Sequence, residues 1–289
     1  ARKPVPVRGK KPVEPKPRDE YEDPPDYDGE NGNGTPNEDY GDDIDSRASD
    51  NVTRTNIAAF ITSELISELG DKNWKVRIEA IGKVSTILSD AKFIHSDIDE
   101  LPTALCARLS DTNKNIAGEA LKLASQLAAA LGPHCKPHTR IIVPGIFAAL
   151  GDTKKTMREQ ALTALNNWVE HLGSVKDVID GDMCIDSLKS GSPFLKAELI
   201  TWMSEKLRDA PPKSLNKEEL NGCVLYLFSG LEDRNADIRK ASGEAILPFM
   251  LHLGFEGMNK HTSRVKPSSK NTVTQALEKA KPNLPARPP

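Results

Sequence analysis

LGDKNWKVRIEA, residues 69–80, is the stretch that decides the fold of this chain. Four later segments repeat it, the third of them in degenerate form: LSDTNKNIAGEA at 109–120, LGDTKKTMREQA at 150–161, LKSGSPFLK at 188–196 and LEDRNADIR at 231–239. The third residues of successive copies lie 40, 41, 38 and 43 residues apart, and they are Asp71, Asp111, Asp152, Ser190 and Asp233. The chain therefore contains an internal repeat.

The period of this repeat indicates the architecture. Units of about 40–47 residues with two helices each are typical of HEAT-type repeats. A single unit cannot bury its apolar face alone, so successive units stack into a solenoid. We predict an all-α protein, an α-solenoid of HEAT repeats with about five helix pairs and a C-terminal capping helix.

Apolar spacing and stop signals give the expected helix bounds. In the first pair, the first helix is expected to end at Leu69 and the second to begin near Trp74. The capping helix is expected at Thr272–Lys281. Pro144 is expected to kink its helix or to delay its start. The other pairs are predicted at 97–109 with 114–131, 137–150 with 155–172, 182–189 with 193–207, and 216–231 with 235–253.

The composition fits a helical solenoid, with 37% hydrophobic and 5% aromatic residues. The four cysteines form no CxxC pair, which is typical of thiols in a reducing compartment. The start of the chain is rich in Pro, Lys and Arg and does not resemble a signal peptide. No apolar run approaches the ~18 residues of a membrane span, so we expect no membrane partner. The first residue, Ala1, suggests a piece of a longer protein.

Charge is distributed unevenly along the chain, although the net charge is only −3. Residues 1–18 hold seven basic residues and one acid, whereas residues 19–50 hold thirteen acids and one Arg. With eight prolines and few aliphatic residues, segment 1–51 has the composition of a disordered linker. The folded HEAT-repeat domain is expected at 52–282, followed by a disordered tail at 283–289.

The repeated Asp is expected to have a structural role first. It lies at the turn between paired helices, where its carboxylate can accept backbone N–H bonds and favour the helix dipole. Six residues later, Arg77, Arg158 and Arg239 can pair with the Asp of a neighbouring repeat. The second copy has Ala117 at that position, so we expect the series of ion pairs to be broken there.

The sequence shows no motif for catalysis. It lacks GxxxxGK[ST], HExxH and GxSxG, so we expect no enzyme activity and no cofactor. The nearest approach to a metal site is HCKPH at 134–138, but no second ligand pair lies at zinc spacing, and we expect no metal. The repeat body is not net basic, which argues against a nucleic-acid partner. The basic stretch at 2–18 is interpreted as a solvated linker, with binding to an anionic polymer as the alternative.

The turns within the helix pairs are the best candidates for function. In a solenoid these turns project along one edge and form a continuous strip. Basic residues occur in four of the five turns, and Trp74 lies between Lys72 and Lys75 in the first. Because Trp and Arg are favoured interface residues, we interpret this edge as a binding surface. The alternative for Trp74 is that it folds back on the end of the solenoid.

These segments resemble a TOG domain, the tubulin-binding array of the mini spindles/ch-TOG family of microtubule polymerases, with relatives among the CLASP proteins. The resemblance covers residues 52–282 and is greatest for the fourth TOG domain of the mini spindles group. It is carried by GDKNWK at 70–75, DAKFI at 90–94, ELPTAL at 100–105 and LEDRN at 231–235. The family implies a flat, paddle-shaped HEAT array without catalytic activity.

The resemblance implies that the turn edge docks on the αβ-tubulin heterodimer or the microtubule lattice and promotes microtubule growth. Trp74 would insert on β-tubulin with Lys75 nearby, and Arg234 would engage α-tubulin. The residues of the second and third turns that would meet acidic tubulin surface are Lys114, Lys154 and Lys155. Neighbouring TOG domains in the same chain would be further partners. The implied location is the cytoplasm and cytoskeleton, at microtubule plus ends, the spindle and the centrosome.

Two turns depart from the family pattern. The second carries Asn113-Lys114 where many members have small or aliphatic residues, and the fourth carries Ser192-Pro193-Phe194 with little charge. The alternative function is a generic HEAT-repeat scaffold for protein interactions. Such a scaffold would bind its partner through the concave helical face rather than through the turn edge.

Overall fold

A computed structural model describes residues 52–179, 182–211 and 214–285. The expected linker at 1–51 lies outside the described residues, as do residues 286–289 of the expected tail. Within the described ranges the regular structure is helical, apart from one isolated bridge between Thr55 and Ile94. The predicted all-α class is therefore confirmed.

Five helix pairs build the repeats: α1 (Ser63–Leu69) with α2 (Trp74–Ala91), α3 (Leu101–Leu109) with α4 (Lys114–Leu131), α5 (Thr139–Leu150) with α6 (Lys155–Leu172), α8 (Met183–Ser190) with α9 (Pro193–Asp209), and α10 (Lys217–Gly230) with α11 (Ala236–Leu253). The remaining α-helices are α7 (Lys176–Ile179), α12 (Phe255–Asn259) and α13 (Lys270–Ala280). Short 3-10 helices lie at Ala58–Phe60, Gly132–His138, Lys260–Arg264, Pro267–Ser269 and Lys281–Asn283.

The pairs stack as the repeat predicts. The first helices of the pairs pack on one another in chain order, and so do α2, α4 and α6 in the second layer. In the C-terminal half, α9 packs chiefly against α11 and also contacts α5, while α13 packs on α11 and α12. The backbones of α6 and α9 make few close contacts, and this junction is joined mainly by side chains.

Most helix bounds agree with the sequence prediction to within two residues. The exceptions are α3, which begins at Leu101 rather than at 97, and the first helix, which is divided into the 3-10 turn Ala58–Phe60 and α1. The capping helix is α13, close to the expected position. The short helices α7 and α12 were not predicted, because segments of four or five residues carry too little periodicity.

Of the two effects expected of Pro144, the delayed start of the helix is wrong. Helix α5 begins at Thr139 and continues through Pro144. A proline inside a helix leaves the carbonyl four residues earlier, here that of Arg140, without its usual N–H donor. Both Pro144 and Arg140 are exposed, so water can satisfy that carbonyl and the helix persists.

In the first, second and fifth repeats the Asp of the turn begins the second helix through a two-step cap. Asp71 Oδ1 accepts the N–H of Asn73 at 2.6 Å, and Asn73 Oδ1 accepts the N–H of Lys75 at 3.1 Å. The second and fifth turns repeat both bonds at Asp111-Thr112-Asn113 and Asp233-Arg234-Asn235. The expected capping role of the Asp is confirmed, although the residue in the N-cap position is the one two places later.

The core runs the length of the stack, and its largest fully buried side chains are two tryptophans. Trp168 is fully buried, and its indole N–H donates to Thr139 Oγ1 at 3.1 Å. Trp202 packs edge-on against Phe147 with ring centroids 6.3 Å apart, and its indole N–H donates to Asn166 Oδ1 at 3.1 Å. Both indoles therefore bury large apolar surfaces without leaving a donor unsatisfied.

The first described residues fasten the N-terminal repeats together. A guanidinium nitrogen of Arg54 donates to the carbonyl of Leu131 at 2.7 Å and to that of Ile94 at 3.0 Å. The Leu131 carbonyl lies at the end of α4, where intrahelical donors have run out. Gly132 follows with φ of 57°, and Cβ of any larger residue there would lie 3.4 Å from the Arg54 guanidinium.

We expect Leu121→Ala to lower the free energy of unfolding by about 2–5 kcal/mol, because it empties part of a closely packed core. Leu121 is fully buried in α4, whereas Leu162 in α6 is only partly buried. Leu162→Ala is therefore the matched control and should cost less. Urea denaturation followed by circular dichroism measures both, and an equal loss for the two variants would contradict this placement of the core.

Candidate functional site

The candidate site is the turn edge, defined as residues 70–75, 110–115, 151–156, 191–194 and 231–237. These residues are the turns between paired helices and the first helical residues that follow. Direct contacts join the turns of the first four repeats along one edge, as described below. The fifth turn precedes α11, which packs along α9 and lies in register with it, since His252 near the end of α11 contacts the carbonyl of Leu207 near the end of α9 at 2.7 Å.

One arginine holds the turn of its own repeat in three of the five repeats. Arg77 donates through Nη1 to the carbonyls of Asp71 at 2.6 Å and Lys72 at 3.1 Å. Arg158 makes the same pair of bonds to residues 152 and 153, and Arg239 makes them to residues 233 and 234. These bonds satisfy turn carbonyls that no helix can reach, so the backbone of the edge is held in one conformation.

The same arginines reach the next repeat in two cases. Arg77 Nε lies 2.9 Å from Asp111 Oδ2, which confirms the expected pairing with the Asp of a neighbouring repeat. Arg158 Nε lies 3.0 Å from Glu198 Oε1 in α9, because the fourth repeat carries Ser190 in place of the Asp. Pairing of Arg158 with a neighbouring Asp was therefore a wrong expectation, but the link between the repeats is kept.

The expected break at Ala117 is also wrong. Ala117 is buried, and Lys114 takes the place of the missing arginine, with its Nζ 2.7 Å from Asp152 Oδ2. The chain of ion pairs thus runs without interruption from the first repeat to the fourth. Reasoning from the sequence missed this link because it looked for the cation only at the sixth position after the Asp.

Asp152 is held as a carboxylate by its surroundings. Burial alone raises its pKa, but the hydrogen bond from Lys114, the backbone N–H of Lys154 and the charges of both lysines outweigh burial and hold the pKa below its ordinary value of 3.8. The Oδ1 atom accepts the Lys154 N–H at 2.8 Å and Oδ2 faces Lys114. Asp152 is therefore committed to two structural contacts.

Of the six predicted site residues, five project from the edge into solvent. Trp74 is the first residue of α2 and is 47% exposed, so it does not fold back on the end of the solenoid. Lys75, Lys154 and Arg234 are exposed, and so is Lys155, which lies 3.6 Å from Glu159 in its own helix. The edge therefore presents one large aromatic surface and basic groups at separate turns.

Lys114 differs from the other five. Its side chain is 49% exposed, but its ammonium group contacts Asp152, whose side chain is only 8% exposed. A partner that binds Lys114 must share it with this carboxylate. The contribution of Lys114 to a surface charge is accordingly smaller than its position in the sequence predicts.

The bases of the turn edge are all exposed, whereas its acids divide into two groups: Asp71, Glu232 and Asp237 are exposed, and the other three are at least partly buried. Asp111 has a side chain that is 3% exposed and lies 2.9 Å from both Arg77 and Arg108. Asp152 and Asp233 are partly buried and accept backbone N–H bonds. Six exposed bases thus stand against three exposed acids along the edge, and bases are the only exposed charges of the second and third turns. The edge is suited to an acidic partner.

A further aromatic residue lies on the edge, in the fourth turn. Phe194 is 38% exposed, and the guanidinium carbon of Arg158 lies 4.5 Å from the centroid of its ring. Phe194 is absent from the predicted site because the fourth copy of the repeat is degenerate and carries little charge. Its signal in the sequence is its position, since it is the second residue of its helix, one place beyond that of Trp74.

The HCKPH segment, which the sequence offered as the nearest approach to a metal site, uses two of its polar side chains in other ways. It forms the 3-10 helix Gly132–His138, in which His138 Nε2 lies 2.9 Å from the carbonyl of Ser96. Burial raises the pKa of the Cys135 thiol to about 12, so it is protonated at neutral pH. Within the described ranges, no group of three or more His, Cys, Asp or Glu side chains is arranged to hold a metal ion.

Among the helices of the described residues, none is both long and apolar enough to cross a membrane.

We expect Asp111→Ala to lower the free energy of unfolding by about 3 kcal/mol, because it leaves the largely buried guanidinium groups of Arg77 and Arg108 without their shared carboxylate. The matched control is Glu119→Ala, which breaks an exposed pair with Lys122 and should change stability by less than about 1 kcal/mol. Thermal and urea unfolding measure both. Equal effects would show that the pairs between repeats carry no more energy than surface pairs.

We expect Lys114→Ala to raise the pKa of Asp152, because burial remains while the strongest hydrogen bond is lost. In the parent chain the folded-state pKa is lowered, so Asp152 stabilises the fold above its unfolded-state pKa, and this contribution disappears as the pH falls through the folded-state value. In the variant that contribution is reduced already at neutral pH. Carboxyl chemical shifts followed by NMR titration measure the change, and an unaltered pKa would contradict the assigned ion pair.

The comparison with known proteins identifies the fold. Residues 61–282 match the family described as CLASP N terminal. The mini spindles protein of Drosophila melanogaster is 44% identical over 239 residues, which cover 83% of this chain and 12% of that protein. The MOR1 protein of rice, Oryza sativa, is 36% identical over 202 residues, which cover 68% of this chain and 10% of that protein. The chain thus spans only a small part of the length of the relatives it matches.

A solved structure agrees with this assignment at the level of fold. It belongs to a study of microtubule polymerases with TOG domain arrays, and it matches with a TM-score of 0.64 and 14% identity over 83% of this chain and 49% of that chain. At this identity the likeness is one of architecture alone. Together with the family match over most of the described residues, it shows that the chain belongs to the CLASP N-terminal family and carries a TOG domain of the mini spindles type.

Proposed function

We propose that this domain is a non-catalytic tubulin-binding module of a microtubule polymerase and that it docks its turn edge on αβ-tubulin. The observation that carries the proposal is the excess of exposed bases at the edge, where six bases and Trp74 are exposed but only three of the six acids are. The similar solved structure concerns tubulin recruitment and assembly by TOG domain arrays, which supports tubulin as the partner.

The edge is rigid, and this favours binding. Arg77, Arg158 and Arg239 each donate two hydrogen bonds to backbone carbonyls of a turn. The exposed side chains therefore project from a backbone of fixed conformation. A surface that is ordered before binding loses less conformational entropy on association. Tubulin is acidic, and complementary charge raises the rate of productive encounter more than it raises affinity.

The proposed contacts follow the order of the turns. Trp74 inserts on β-tubulin with Lys75 beside it, and Arg234 in the fifth turn engages α-tubulin. Lys154 and Lys155 meet acidic surface between these ends. Lys114 contributes least among the bases, because binding to tubulin competes with its 2.7 Å contact to Asp152.

The proposed biological role is that of one member of an array. The relatives with named functions are spindle and centrosomal proteins that are far longer than this chain, among them centrosomal protein 224 of Dictyostelium discoideum. Several TOG domains joined in one protein raise the local concentration of tubulin at a filament end without a new contact. We place the chain in the cytoplasm and cytoskeleton, at microtubule plus ends, the spindle and the centrosome, with neighbouring TOG domains as further partners.

We expect Trp74→Ala and Arg234→Ala to abolish co-elution of the chain with αβ-tubulin in size-exclusion chromatography, because each removes a contact at one end of the footprint. Helicity should not change, since both side chains are exposed. The effect of Arg234→Ala should be largest at low salt, where the charge is least screened.

Matched controls lie on surfaces away from the edge. Phe60 is an exposed aromatic residue in the 3-10 turn before α1, and Arg140 is an exposed base at the start of α5, about 15 Å along the helix from the third turn. Phe60→Ala and Arg140→Ala should bind tubulin as the parent chain does. If the controls lose binding and the edge variants keep it, the partner binds elsewhere, as expected of a generic scaffold.

A further inference from the structure

The fourth turn contains an aromatic residue, Phe194, whose exposure is not explained by the basic character of the edge. Phe194 is the second residue of α9, and 38% of its surface is exposed among turns that are otherwise polar. An exposed phenyl ring gains nothing from solvent, and apolar side chains of this size on a candidate binding surface are typical of interface cores. Phe60 and Phe93 are at least as exposed but lie away from the turn edge, so it is the position of Phe194 on that edge that makes it a candidate for binding.

Phe194 is fixed in place rather than free to move. The guanidinium of Arg158 stacks on the ring at 4.5 Å, a distance at which the cation attracts the face of the ring. Arg158 itself is held by the carbonyls of Asp152 and Thr153 and by Glu198. The ring is therefore positioned by a side chain that has almost no freedom of its own.

The fourth turn is also continuous with the third. Ser192 Oγ lies 3.3 Å from the carbonyl of Gly151 and accepts the N–H of Leu195 at 3.3 Å, which caps α9. Glycine is needed at 151, because a Cβ there would lie 2.9 Å from Ser192 Oγ. Because Arg158 contacts both the third turn and the Phe194 ring, the ring lies beside the turn that presents Lys154 and Lys155.

We propose that Phe194, positioned by Arg158, is a second apolar anchor of the turn edge and inserts into an apolar depression on tubulin. This inference rests on the proposed function and specifies it, because the footprint then includes the fourth turn and has aromatic anchors at both its first and fourth turns. The surface of tubulin opposite the fourth turn is apolar, in contrast to the acidic surface opposite the lysines and Arg234.

The test is the affinity of Phe194→Ala for αβ-tubulin, measured by fluorescence anisotropy at low and moderate salt. Truncation of a central interface aromatic residue weakens the Kd by about tenfold. The loss should be the same at both salt concentrations, because burial of an apolar ring is not screened by ions, whereas the loss in Arg234→Ala should shrink at the higher salt.

Phe93 gives the matched control. It is a phenylalanine with 40% exposure, and it follows the end of α2, about 27 Å along that helix from the edge. Phe93→Ala should leave the Kd unchanged, and Phe194→Leu should retain part of the affinity of the parent chain. Circular dichroism melts of each variant separate loss of binding from loss of folding.

A second measurement needs no variant. The N–H of Phe194 lies in the first turn of α9, where helical N–H groups have no partner within the helix, so it should exchange rapidly in the free chain. Hydrogen–deuterium exchange of a peptide spanning residues 191–196 should slow on addition of tubulin. If Phe194→Ala fails to fold, this protection decides the question.

The outcomes separate this inference from the proposed function. Weakened binding by Phe194→Ala together with protection at 191–196 supports the second anchor. If Trp74→Ala loses binding while Phe194→Ala stays within about twofold of the parent Kd, the proposed function stands and the second anchor is wrong. Weakened binding without protection also overturns it, since the ring then acts through the fold. If Trp74→Ala binds normally as well, the assignment of the whole edge fails.

Discussion

The structure depends on one recurring interaction, a side-chain cation that is bonded both to the turn of its own repeat and to an acid of the next. Arg77 does this between the first and second repeats, and Arg158 does it between the third and fourth. HEAT repeats contact only their neighbours, so the angle and spacing at each junction determine the course of the edge. A guanidinium with several donors in a fixed plane can satisfy turn carbonyls and a carboxylate together, which an ammonium cannot do equally well.

The ion pairs between repeats also determine which charged side chains of the turns remain available to a partner. A carboxylate paired with a neighbouring cation offsets the projecting lysines less, whereas one bound only by a backbone N–H keeps its full charge. The second and third turns therefore present only bases at the surface, and the first and fifth turns present both signs. Lys114 marks the limit of this arrangement, because in the repeat that lacks the arginine one lysine both joins the repeats and faces the solvent. Structure and binding compete for its charge at that position.

The repeat period and the apolar spacing were enough to predict the class, the helix pairs and the turn edge, because each repeat is a local unit with its own start and stop signals. The exposure of Trp74 could be anticipated from its place at a helix start. The partners of charged side chains could not be predicted in the same way. Glu198 replaces a missing Asp and Lys114 replaces a missing Arg, and both substitutions depend on how neighbouring helices are placed in space. Helix α5 likewise continues through Pro144, which lies on an exposed face of the helix, and this exposure depends on how the neighbouring helices are placed.

The junction between the third and fourth repeats brings these constraints together. Helix α5 packs on α8 and α9 there, while α6 and α9 make few close backbone contacts and are linked by two polar pairs, Arg158 with Glu198 and Trp202 with Asn166. The directional hydrogen bonds add to the orientation that this packing sets. The guanidinium of Arg158, which belongs to this junction, also packs on the ring of Phe194. Arg158 therefore contacts the third turn, helix α9 and the exposed ring together, so one side chain helps to set the orientation of the fourth turn relative to the third at the surface that would meet the partner.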